Sequence, residues 1–363
     1  MKVLIAGGGT GGHLMPALAI ADAMCGLRPD VEPVLVGAER GVEARILPER
    51  DRYRFHLLPV EPIHRRMWWR NAKWLFLFGR VMRQCRRILD VERPVMAVGT
   101  GGYAAGPMLW ACSQRGIPFG LQEQNALPGV TTRLLARRAR QIHLGFPEAA
   151  TFLRPGRDTM VFELGNPISP PNEGADRHAA RHALGVADDA AVCFVMGGSQ
   201  GARSVNAAIS AALDAGTLDG VTLLWSTGPT TFEQYRRHHA PPHRVVKPFW
   251  DPVSEAYAVA DLVVARAGAM TIAELSAWGL PAVLVPLPTA AADHQTQNVL
   301  ALERAGSAIH LPDARLATSD VGRLVSDLVT DRERLEAMSR IAIERSHPHA
   351  AKHIARQLLT LAD

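Results

Sequence analysis

The sequence predicts an α/β protein of two domains, each built on a doubly wound parallel sheet. Three observations carry this prediction. Apolar runs of strand length alternate with helical patterns along the chain, which is typical of parallel sheets with crossover helices. A glycine-rich turn follows an apolar run in each half, at GGGTGG (7–12) and GGSQGA (197–202). The length of 363 residues suits two domains that each bury a core.

The first half opens with a buried strand, KVLIA (2–6), which leads into the first glycine loop. An amphipathic helix is predicted from about Pro16 to Met24, and VEPVLVG (31–37) is the next strand. The second half repeats this plan. Its first strand is AVCFVM (191–196), before the second glycine loop.

The next strand of the second half is VTLLWSTG (221–228). The segment 260–286 then predicts a strand, a loop over 266–270, a helix from Thr271 and another strand. The prolines, asparagines and glycines of LGNPISPPNEG (164–174) indicate an interdomain linker.

Composition excludes several protein classes. The four cysteines are isolated and form no CxxC pair, which argues for a reducing cytoplasm and against a disulfide framework or zinc site. The amino terminus is unlike a secretory signal, because glycines end its apolar run after four residues. The uncharged stretch 94–113 contains VGTGGYAAGP and is better explained as strand, loop and helix start than as a membrane helix.

The net charge of +5 is local. The segment Arg65–Leu89 holds eight basic residues and no acidic one, so the rest of the chain is slightly acidic. A protein that binds nucleic acid through an evenly basic surface is therefore not indicated.

The two glycine loops lie where parallel sheets bind ligands, at the carboxyl ends of strands. Glycines let the backbone approach a ligand closely, and the next helix presents free N–H groups. Gly7, Gly9 and Gly12 fit G-x-G-x-x-G, but Gly37 stands where a dinucleotide site needs an acidic residue. A nicotinamide-dependent oxidoreductase is therefore disfavoured. A loop whose glycines only make a tight turn would not explain why the loop contains further glycines.

A third loop leaves two interpretations open. Thr271 and Glu274 have the spacing of a capping box, in which Glu274 would only cap a helix. Alternatively, the carboxylate of Glu274 accepts hydrogen bonds from a ribose diol.

Seven segments then occur in the order and spacing of one family: GGGTGGH, GTGGYAAGP, LQEQNALPG, LGNP, GGSQGAR, RAGAMTIAEL and PTAAADHQTQNVLALERAG. Over nearly its full length the chain resembles the peptidoglycan glycosyltransferases that move N-acetylglucosamine (GlcNAc) from UDP-GlcNAc onto lipid I, undecaprenyl-pyrophosphoryl-N-acetylmuramyl-pentapeptide, to make lipid II. The resemblance implies a GT-B fold, two Rossmann-like domains facing across a cleft, and inversion at the anomeric carbon. It implies no cofactor and no essential metal, and the sequence contains no D-x-D motif.

The resemblance also implies two domains with separate roles. An acceptor-binding and membrane-binding domain is expected over 1–165, and a donor-binding domain over 166–345. The last helix, within 346–363, is expected to pack back on the first domain.

The resemblance assigns most of the donor site to the second half. Ser199 would meet the diphosphate, Glu274 the ribose and Gln295 the sugar hydroxyls, while the uracil would meet backbone near Trp250. The full set implied for UDP-GlcNAc is Thr10, Gly11, Gly12, Asn125, Ser199, Trp250, Ala269, Met270, Thr271, Ile272, Ala273, Glu274 and Gln295.

The acceptor diphosphate is expected at the N-terminal loop together with Gly101, Gly102 and Tyr103. The attacking hydroxyl must lose a proton, which requires a base within hydrogen-bond reach. His13 is the first candidate because it ends the glycine loop, and Glu123 is the second. A histidine that only lines the acceptor site is the alternative.

The sequence departs from the family at two positions. Ser169 stands where an arginine commonly follows GNP, which removes a phosphate cation that Arg203 or Arg266 would have to replace. Trp250 replaces an aliphatic residue.

The basic segment Arg65–Leu89 is expected to contact an anionic membrane. A helical stripe that includes Val81, Cys85 and Ile88 suits a core, but Trp68, Trp69, Leu75 and Phe76 are left over among the arginines. The expected location is the cytoplasmic face of the cell membrane, as a peripheral protein. The expected partners are UDP-GlcNAc, lipid I and other cell-wall synthesis proteins, without nucleic acid.

Two further functions remain as alternatives. A UDP-GlcNAc epimerase on the same fold would need no lipid, so the basic segment argues against it. A membrane-surface binding module without catalysis would leave both glycine loops unexplained.

Overall fold

A computed structural model describes residues 1–49, 52–60, 74–171, 176–198, 201–318 and 320–362, with the backbone alone at 49 and 74–77. The chain forms two compact units. Unit 1 comprises Met1–Ser169 and His349–Asp363, and unit 2 comprises Pro170–Pro348. The first boundary falls after Ser169, and Asn166 hydrogen bonds to Gln122 and to the backbone of Gln124 within unit 1.

Unit 1 is a seven-stranded parallel sheet with helices on both faces. Its strands are β1 (Lys2–Gly8), β2 (Glu32–Ala38), β3 (Arg54–Leu58), β4 (Met96–Gly101), β5 (Phe119–Glu123), β6 (Gln141–Leu144) and β7 (Met160–Glu163). Its first helices are α1 (Gly11–Leu27), α2 (Glu43–Ile46), α3 (Trp74–Glu92), α4 (Gly102–Gln114) and α5 (Val130–Leu135), and short 3₁₀ helices lie at Leu47–Glu49 and Pro147–Phe152.

The strand order in unit 1 is β3-β2-β1-β4-β5-β6-β7. Alternate residues of β1 enter different cores: Leu4 packs in one layer and Ile5 in the opposite layer. The order reverses between β1 and β4, and ligands of such sheets bind where it reverses, at the carboxyl ends of the strands. Gly8 and Gly101 are the last residues of these two strands.

Unit 2 is a six-stranded parallel sheet. Its strands are β8 (Val192–Met196), β9 (Thr222–Ser226), β10 (Arg244–Lys247), β11 (Leu262–Arg266), β12 (Ala282–Val285) and β13 (Ala308–His310). Its helices are α6 (Arg177–Ala183), α7 (Arg203–Asp214), α8 (Phe232–Tyr235), α9 (Ser254–Val259), α10 (Ala269–Ala277), α11 (His294–Ala305), α12 (Val321–Thr330) and α13 (Arg332–Glu344), with 3₁₀ helices at Arg236–His238, Ala291–Asp293 and Asp313–Arg315.

The strand order in unit 2 is β10-β9-β8-β11-β12-β13, so its reversal point lies between β8 and β11. Both sheets are parallel throughout their named strands. The prediction of two doubly wound α/β domains is confirmed.

The final helix, α14 (Ala350–Leu359), belongs to unit 1. Ile354 and Leu358 are fully buried in the same core cluster as α1. A β-carbon on Gly120 of β5 would lie 2.2 Å from a methyl carbon of Leu358, so the glycine makes room for this side chain. Gln141 of β6 donates to the carbonyl of Gln357, at 3.0 Å.

Two predicted helix starts are wrong, those of α1 and α10. Helix α1 begins at Gly11 and not near Pro16, although Pro16 cannot donate a backbone hydrogen bond inside it. Burial along both sides of α1, at Leu14, Leu18 and Ile20, stabilises the helix despite its three glycines and its proline.

Helix α3 buries the stripe of Val81, Cys85 and Ile88, as predicted. Trp68 and Trp69 lie outside the described residues, as do the side chains of Leu75 and Phe76. Within the described part of the chain, no helix combines the length and apolar character needed to cross a membrane.

Candidate active site

The N-terminal glycine loop lies at the reversal point of unit 1. Thr10 is the N-cap of α1, and the first bonds to its carbonyl come from the N–H groups of His13 and Leu14. The N–H groups of Gly11 and Gly12 therefore have no partner within the 17-residue helix. Together with the helix dipole, they form a site suited to an anionic group.

His13 lies against β4. Its Nδ1 atom is 3.0 Å from the carbonyl oxygen of Thr100 and 3.0 Å from Oε1 of Gln124. The Thr100 hydroxyl donates to the carbonyl of His13, at 2.8 Å, and fixes the backbone there. A β-carbon on Gly101 would lie 2.8 Å from Nδ1, so a glycine is needed beneath the ring. The imidazole is thus held at one nitrogen while the residue stays partly exposed.

A buried carboxylate lies beneath the same loop. Glu43 is inaccessible to solvent, and its Oε1 accepts hydrogen bonds from the N–H groups of Gly9 and Ala38, both at 2.7 Å. β-Carbons on Gly8 and Gly37 would lie 2.0 and 2.3 Å from Glu43 atoms. Glycines at these positions therefore serve the packing of Glu43, and the Gly9 N–H points inward. Sequence reasoning missed Glu43, since a glutamate in the first turn of a helix is unremarkable.

The two loops of unit 1 interlock. Gly102 adopts a φ of +79°, and a β-carbon there would lie 1.9 Å from the carbonyl oxygen of Gly8. The ring of Tyr103 lies against Gly9, and burial together with the nearby charge of Glu43 raises the pKa of the Tyr103 hydroxyl. The three residues expected at the acceptor, Gly101, Gly102 and Tyr103, are thus brought together with His13.

Glu123 serves the loop that follows β5. Its carboxylate, 3 % exposed, accepts hydrogen bonds from the N–H groups of Asn125 and Gly129 and from the Thr132 hydroxyl, at 3.1, 3.0 and 2.6 Å. The Asn125 side chain also donates to it, at 3.3 Å. A carboxylate engaged in this way holds the loop and the start of α5 in place. Asn125 lies beside it, half-buried.

The glycine loop of unit 2 is also tightly packed. Gly201 has a φ of +74°, and a β-carbon on it would lie 2.2 Å from the carbonyl oxygen of Thr227. A β-carbon on Gly197 would lie 2.2 Å from the N atom of Ala202. Ser199, the residue expected at the diphosphate, lies outside the described residues.

Helix α10 begins at Ala269, two residues earlier than predicted, with Gly268 as its N-cap. Thr271 is therefore inside the helix and Glu274 lies beyond the first turn, so the capping-box interpretation is wrong. Ala269 and Ile272 are buried, whereas Met270, Thr271 and Ala273 are partly exposed at the helix start.

Glu274 is paired with an aromatic hydroxyl. Tyr257 donates from its hydroxyl to Oε2 of Glu274, at 3.0 Å. Burial raises the pKa of Glu274, and the hydrogen bond from Tyr257 acts in the opposite direction. The carboxylate is thus oriented through one of its two oxygens. Tyr257 is a second residue that sequence reasoning missed.

Trp250 does not form an exposed platform. Its side chain is 2 % exposed, packs edge-on against Phe194, and has the ammonium of Lys247 at 3.8 Å from its ring centroid. The neighbouring Phe249 is 51 % exposed. At Trp250, only the backbone remains a candidate for contact with the uracil.

Two polar residues near β12 are engaged. Gln295 accepts from the N–H of Leu287, at 2.9 Å. Arg266 forms an ion pair with Asp313, at 2.6 Å, and donates to Ser204, at 2.8 Å. Arg266 is therefore not available to replace the cation missing at Ser169, whereas Arg203 is exposed as the first residue of α7.

Among the residues that the structure describes, no group of three or more His, Cys, Asp or Glu is arranged to hold a metal ion.

Two family models match this chain. The glycosyltransferase family 28 N-terminal domain matches residues 3–144, and the glycosyltransferase family 28 C-terminal domain matches residues 192–354. The chain belongs to glycosyltransferase family 28. The two matched regions fall in unit 1 and, apart from the last six residues, in unit 2.

Curated relatives are similar over the full length. The UDP-N-acetylglucosamine–N-acetylmuramyl-(pentapeptide) pyrophosphoryl-undecaprenol N-acetylglucosamine transferase of Salinibacter ruber is 43 % identical, over 99 % of this chain and 97 % of the relative. The protein of the same name from Chlorobium limicola is 39 % identical over the whole of both chains.

Solved structures share the fold. MurG of Acinetobacter baumannii has a TM-score of 0.78 and 26 % identity, over 99 % of each chain. A putative UDP-N-acetylglucosamine 2-epimerase from Listeria monocytogenes has a TM-score of 0.66 over 98 % of this chain and 94 % of its own. Its 13 % identity shows the fold alone. The GT-B fold predicted for this family 28 chain is confirmed.

Proposed function

We propose that this chain transfers GlcNAc from UDP-GlcNAc to the C4 hydroxyl of N-acetylmuramic acid in lipid I, forming lipid II with inversion. The observation that carries the proposal is 43 % identity, over 99 % of the chain, to a transferase named for this reaction. The chain is a hexosyltransferase of peptidoglycan synthesis, and cell-wall biogenesis, cell shape and division depend on that product.

The decisive experiment incubates the protein with radiolabelled UDP-GlcNAc and a lipid I analogue. Transfer of label to the acceptor is the expected result. Sugar interconversion without acceptor would support the epimerase alternative, which is otherwise supported only by the shared fold. Turnover of neither substrate would contradict the proposal.

Proton removal is assigned to His13. As the C4 oxygen bonds to the anomeric carbon, the bond to UDP breaks, and the hydroxyl proton passes to the imidazole and then to water. The ring is fixed at Nδ1, is partly exposed, and stands beside the free N–H groups of α1. Glu123 has its carboxylate engaged by Asn125, Gly129 and Thr132, which favours His13 over Glu123.

Unit 2 is proposed to hold the donor. The start of α10 offers N–H groups to the diphosphate, and Glu274, pre-oriented by Tyr257, accepts the ribose hydroxyls. Gln295 is assigned to the sugar hydroxyls, and Ser199 to the diphosphate. Charge that develops on the leaving UDP is stabilised by such fixed donors, which need no reorganisation. Thr10, Gly11, Gly12 and Asn125 of unit 1 complete the proposed donor set.

Unit 1 is proposed to receive the diphosphate of lipid I. Gly101, Gly102 and Tyr103 lie beside His13, and the Gly11 and Gly12 N–H groups are unpaired within α1. Since the Gly9 N–H is bound to Glu43, the anion contacts are assigned to the helix start and not to the whole loop.

Unit 1 is also proposed to bind the cytoplasmic face of the membrane peripherally, through Arg65–Leu89. In the described part of this segment, Phe78 is 45 % exposed and the arginines are exposed on the face of α3 opposite its core stripe. On α4, Trp110 is 38 % exposed beneath the guanidinium of Arg138, at 4.4 Å. Basic residues at an anionic surface contribute about 1 kcal/mol each.

Sedimentation with anionic vesicles tests the membrane assignment. Binding should fall as salt rises, because exposed charges are screened. Replacement of Trp68, Trp69 and Phe76 by serine should release the protein, while activity on a short-chain, water-soluble acceptor remains. If the triple variant still sediments at moderate salt, the segment is not the anchor. If it fails to fold, these residues belong to the core.

A further inference from the structure

We infer that Gln124 is a positioning residue of the transfer reaction. A chain of buried amides, Asn166–Gln122–Gln124, places the imidazole proton of His13 on Nδ1 and so leaves the lone pair on Nε2. The inference rests on the proposed function, in which His13 takes the proton of the acceptor hydroxyl.

The chain of amides is anchored at the backbone carbonyl of Gln124. The Nδ2 atom of Asn166 is 3.0 Å from the carbonyl oxygen of Gln124, which can only accept, so this atom is the amino group. The Oδ1 atom of Asn166 must then face Gln122, whose Nε2 lies 3.0 Å away. A β-carbon on Gly145 would lie within 2.2–2.6 Å of the Asn166 amide, so the glycine provides the space that this side chain fills.

The orientation of the Gln122 amide in turn determines that of the Gln124 amide. Because Gln122 donates to Asn166, its Oε1 is left to accept from Nε2 of Gln124. That nitrogen also faces the carbonyl oxygens of Thr100 and Gln122, at 2.8 and 3.1 Å. Rotating the Gln124 amide would set an oxygen against three oxygens. All three amide side chains are at most 3 % exposed, so water cannot relieve such a clash.

The chain of amides ends at the imidazole of His13. Nδ1 of His13 lies 3.0 Å from Oε1 of Gln124 and 3.0 Å from the carbonyl oxygen of Thr100. Both atoms are acceptors, so Nδ1 carries the proton. In the neutral ring the lone pair is then on Nε2. No described residue hydrogen bonds to Nε2 of His13, which leaves that atom for a substrate hydroxyl.

The arrangement has a mechanistic consequence. A base that is held in one tautomer needs no proton shift before it can act, and the N–H fixed at Nδ1 stabilises the imidazolium that forms. Gln124 does this with a neutral amide and adds no charge beside the acceptor diphosphate. Gln122 lies in β5 and Gln124 directly follows that strand, so the period-two spacing of extended backbone accounts for their shared side.

Unit 1 contains another histidine, His143, that serves as an internal reference because it faces a glutamine oxygen through its other ring nitrogen. Gln141 donates from Nε2 to the carbonyl of Gln357 and to the Thr360 hydroxyl, so its Oε1 faces Nε2 of His143, at 3.1 Å. His143 should therefore carry its proton on Nε2. Burial lowers the pKa of His143 to about 3, so the ring stays neutral.

The test is the long-range ¹H–¹⁵N spectrum of full-length protein labelled with ¹⁵N in its histidine rings, which reports the protonated nitrogen of each neutral ring. In the wild type, His13 should be protonated on Nδ1 and His143 on Nε2. Gln124→Met, of similar volume, should give a mixture at His13, with a loss of about tenfold in kcat and an unchanged KM for UDP-GlcNAc. Gln141→Met is the matched control, and should change His143 but neither His13 nor kcat.

A wild-type spectrum with the His13 proton on Nε2 would overturn the inference, even if lipid II is formed and even if Gln124→Met fails to fold. Unchanged kcat and an unchanged His13 tautomer in Gln124→Met would overturn it as well. Absence of GlcNAc transfer by the wild type would instead overturn the proposed function, whatever the spectrum shows.

Discussion

At the scale of single residues, the proposed role of His13 as the base gives the first prediction. His13→Ala should lower kcat by about 10²-fold or more, the usual contribution of general acid–base catalysis. UDP-GlcNAc affinity should change little, because the proposed donor contacts are mostly in unit 2. Steady-state kinetics and donor titration check both statements. His178→Ala, a histidine whose side chain is 79 % exposed on unit 2, is the control. Near-normal turnover of His13→Ala would exclude it as the base.

Glu274 carries a second prediction at this scale. Glu274→Ala should weaken UDP-GlcNAc binding by about 1.5–3 kcal/mol, as expected for hydrogen bonds to a charged group. Tyr257→Phe should cost less, about 0.5–1.5 kcal/mol, since it removes only the bond that orients the carboxylate. Calorimetric titration measures both variants.

A 2′,3′-dideoxyribose donor separates binding from folding. It should bind wild type as weakly as UDP-GlcNAc binds Glu274→Ala, with no further loss on the variant. Normal donor affinity combined with a lower melting temperature would give Glu274 a purely structural role.

Residue-level prediction from the sequence succeeded where backbone pattern dictates position. His13 and the glycines after β1 follow a strand directly, so their place at the sheet edge was predictable. Glu43 was not, because its role depends on three-dimensional proximity to Gly8 and Gly37, which neighbouring positions in the chain do not reveal. The engagement of Glu123 by its own loop was equally invisible.

At the scale of elements, Glu92 fastens the end of α3 to the sheet. Its side chain is 1 % exposed and bonds to Lys2, Arg54 and His56. Burial alone would raise the pKa of Glu92, but the hydrogen bonds from Lys2 and His56 and the charges of Lys2 and Arg54 outweigh it and lower the pKa from 4.5 to about 2. This lowering stabilises the fold at neutral pH by about 3 kcal/mol at most.

Because the folded-state pKa is the lower one, this stability is complete above pH 4.5 and is lost as pH falls towards 2. Glu92→Gln should therefore be less stable than wild type at pH 7, and the difference should shrink through that window. Chemical denaturation at several pH values measures it. Asp90→Asn, on the same helix but 64 % exposed, should change little. A difference that stays constant down to pH 2 would contradict the assignment.

Element boundaries show what the sequence could not supply. The strands were predictable, because buried parallel strands are continuous apolar runs. The starts of α1 and α10 were misplaced, because the prediction relied on Pro16 and Thr271 as start signals, whereas the helices begin earlier and bury Leu14 and Ala269 ahead of those residues. Tertiary packing overrode local preference in each case.

At the scale of the whole molecule, the chain leaves unit 1 after Ser169 and returns to it at His349. Unit 2 is therefore an insertion in unit 1, whose core is complete only when the last helix has been added. The two-domain architecture was predictable from the repeated strand, glycine loop and helix. The place of α14 was expected only from family resemblance, because its amphipathic pattern does not say which sheet it covers.

Leu358→Ala tests this organisation. Leu358 is fully buried against α1 and lies over Gly120, so its truncation should lower the free energy of unfolding by about 2–5 kcal/mol through lost burial and a cavity. Val91→Ala, at a side chain 66 % exposed on α3, should change stability by less than about 0.5 kcal/mol. Denaturant unfolding followed by circular dichroism measures both variants.

UDP affinity provides the second readout for the same pair. Because Leu358 stabilises unit 1 while the proposed nucleotide contacts lie in unit 2, UDP should bind folded Leu358→Ala as tightly as wild type, and GlcNAc transfer should fall only with the folded fraction. A loss of UDP affinity without loss of stability would mean that α14 serves the nucleotide site. A stability equal to that of Val91→Ala would mean that unit 1 has a sufficient core without this helix.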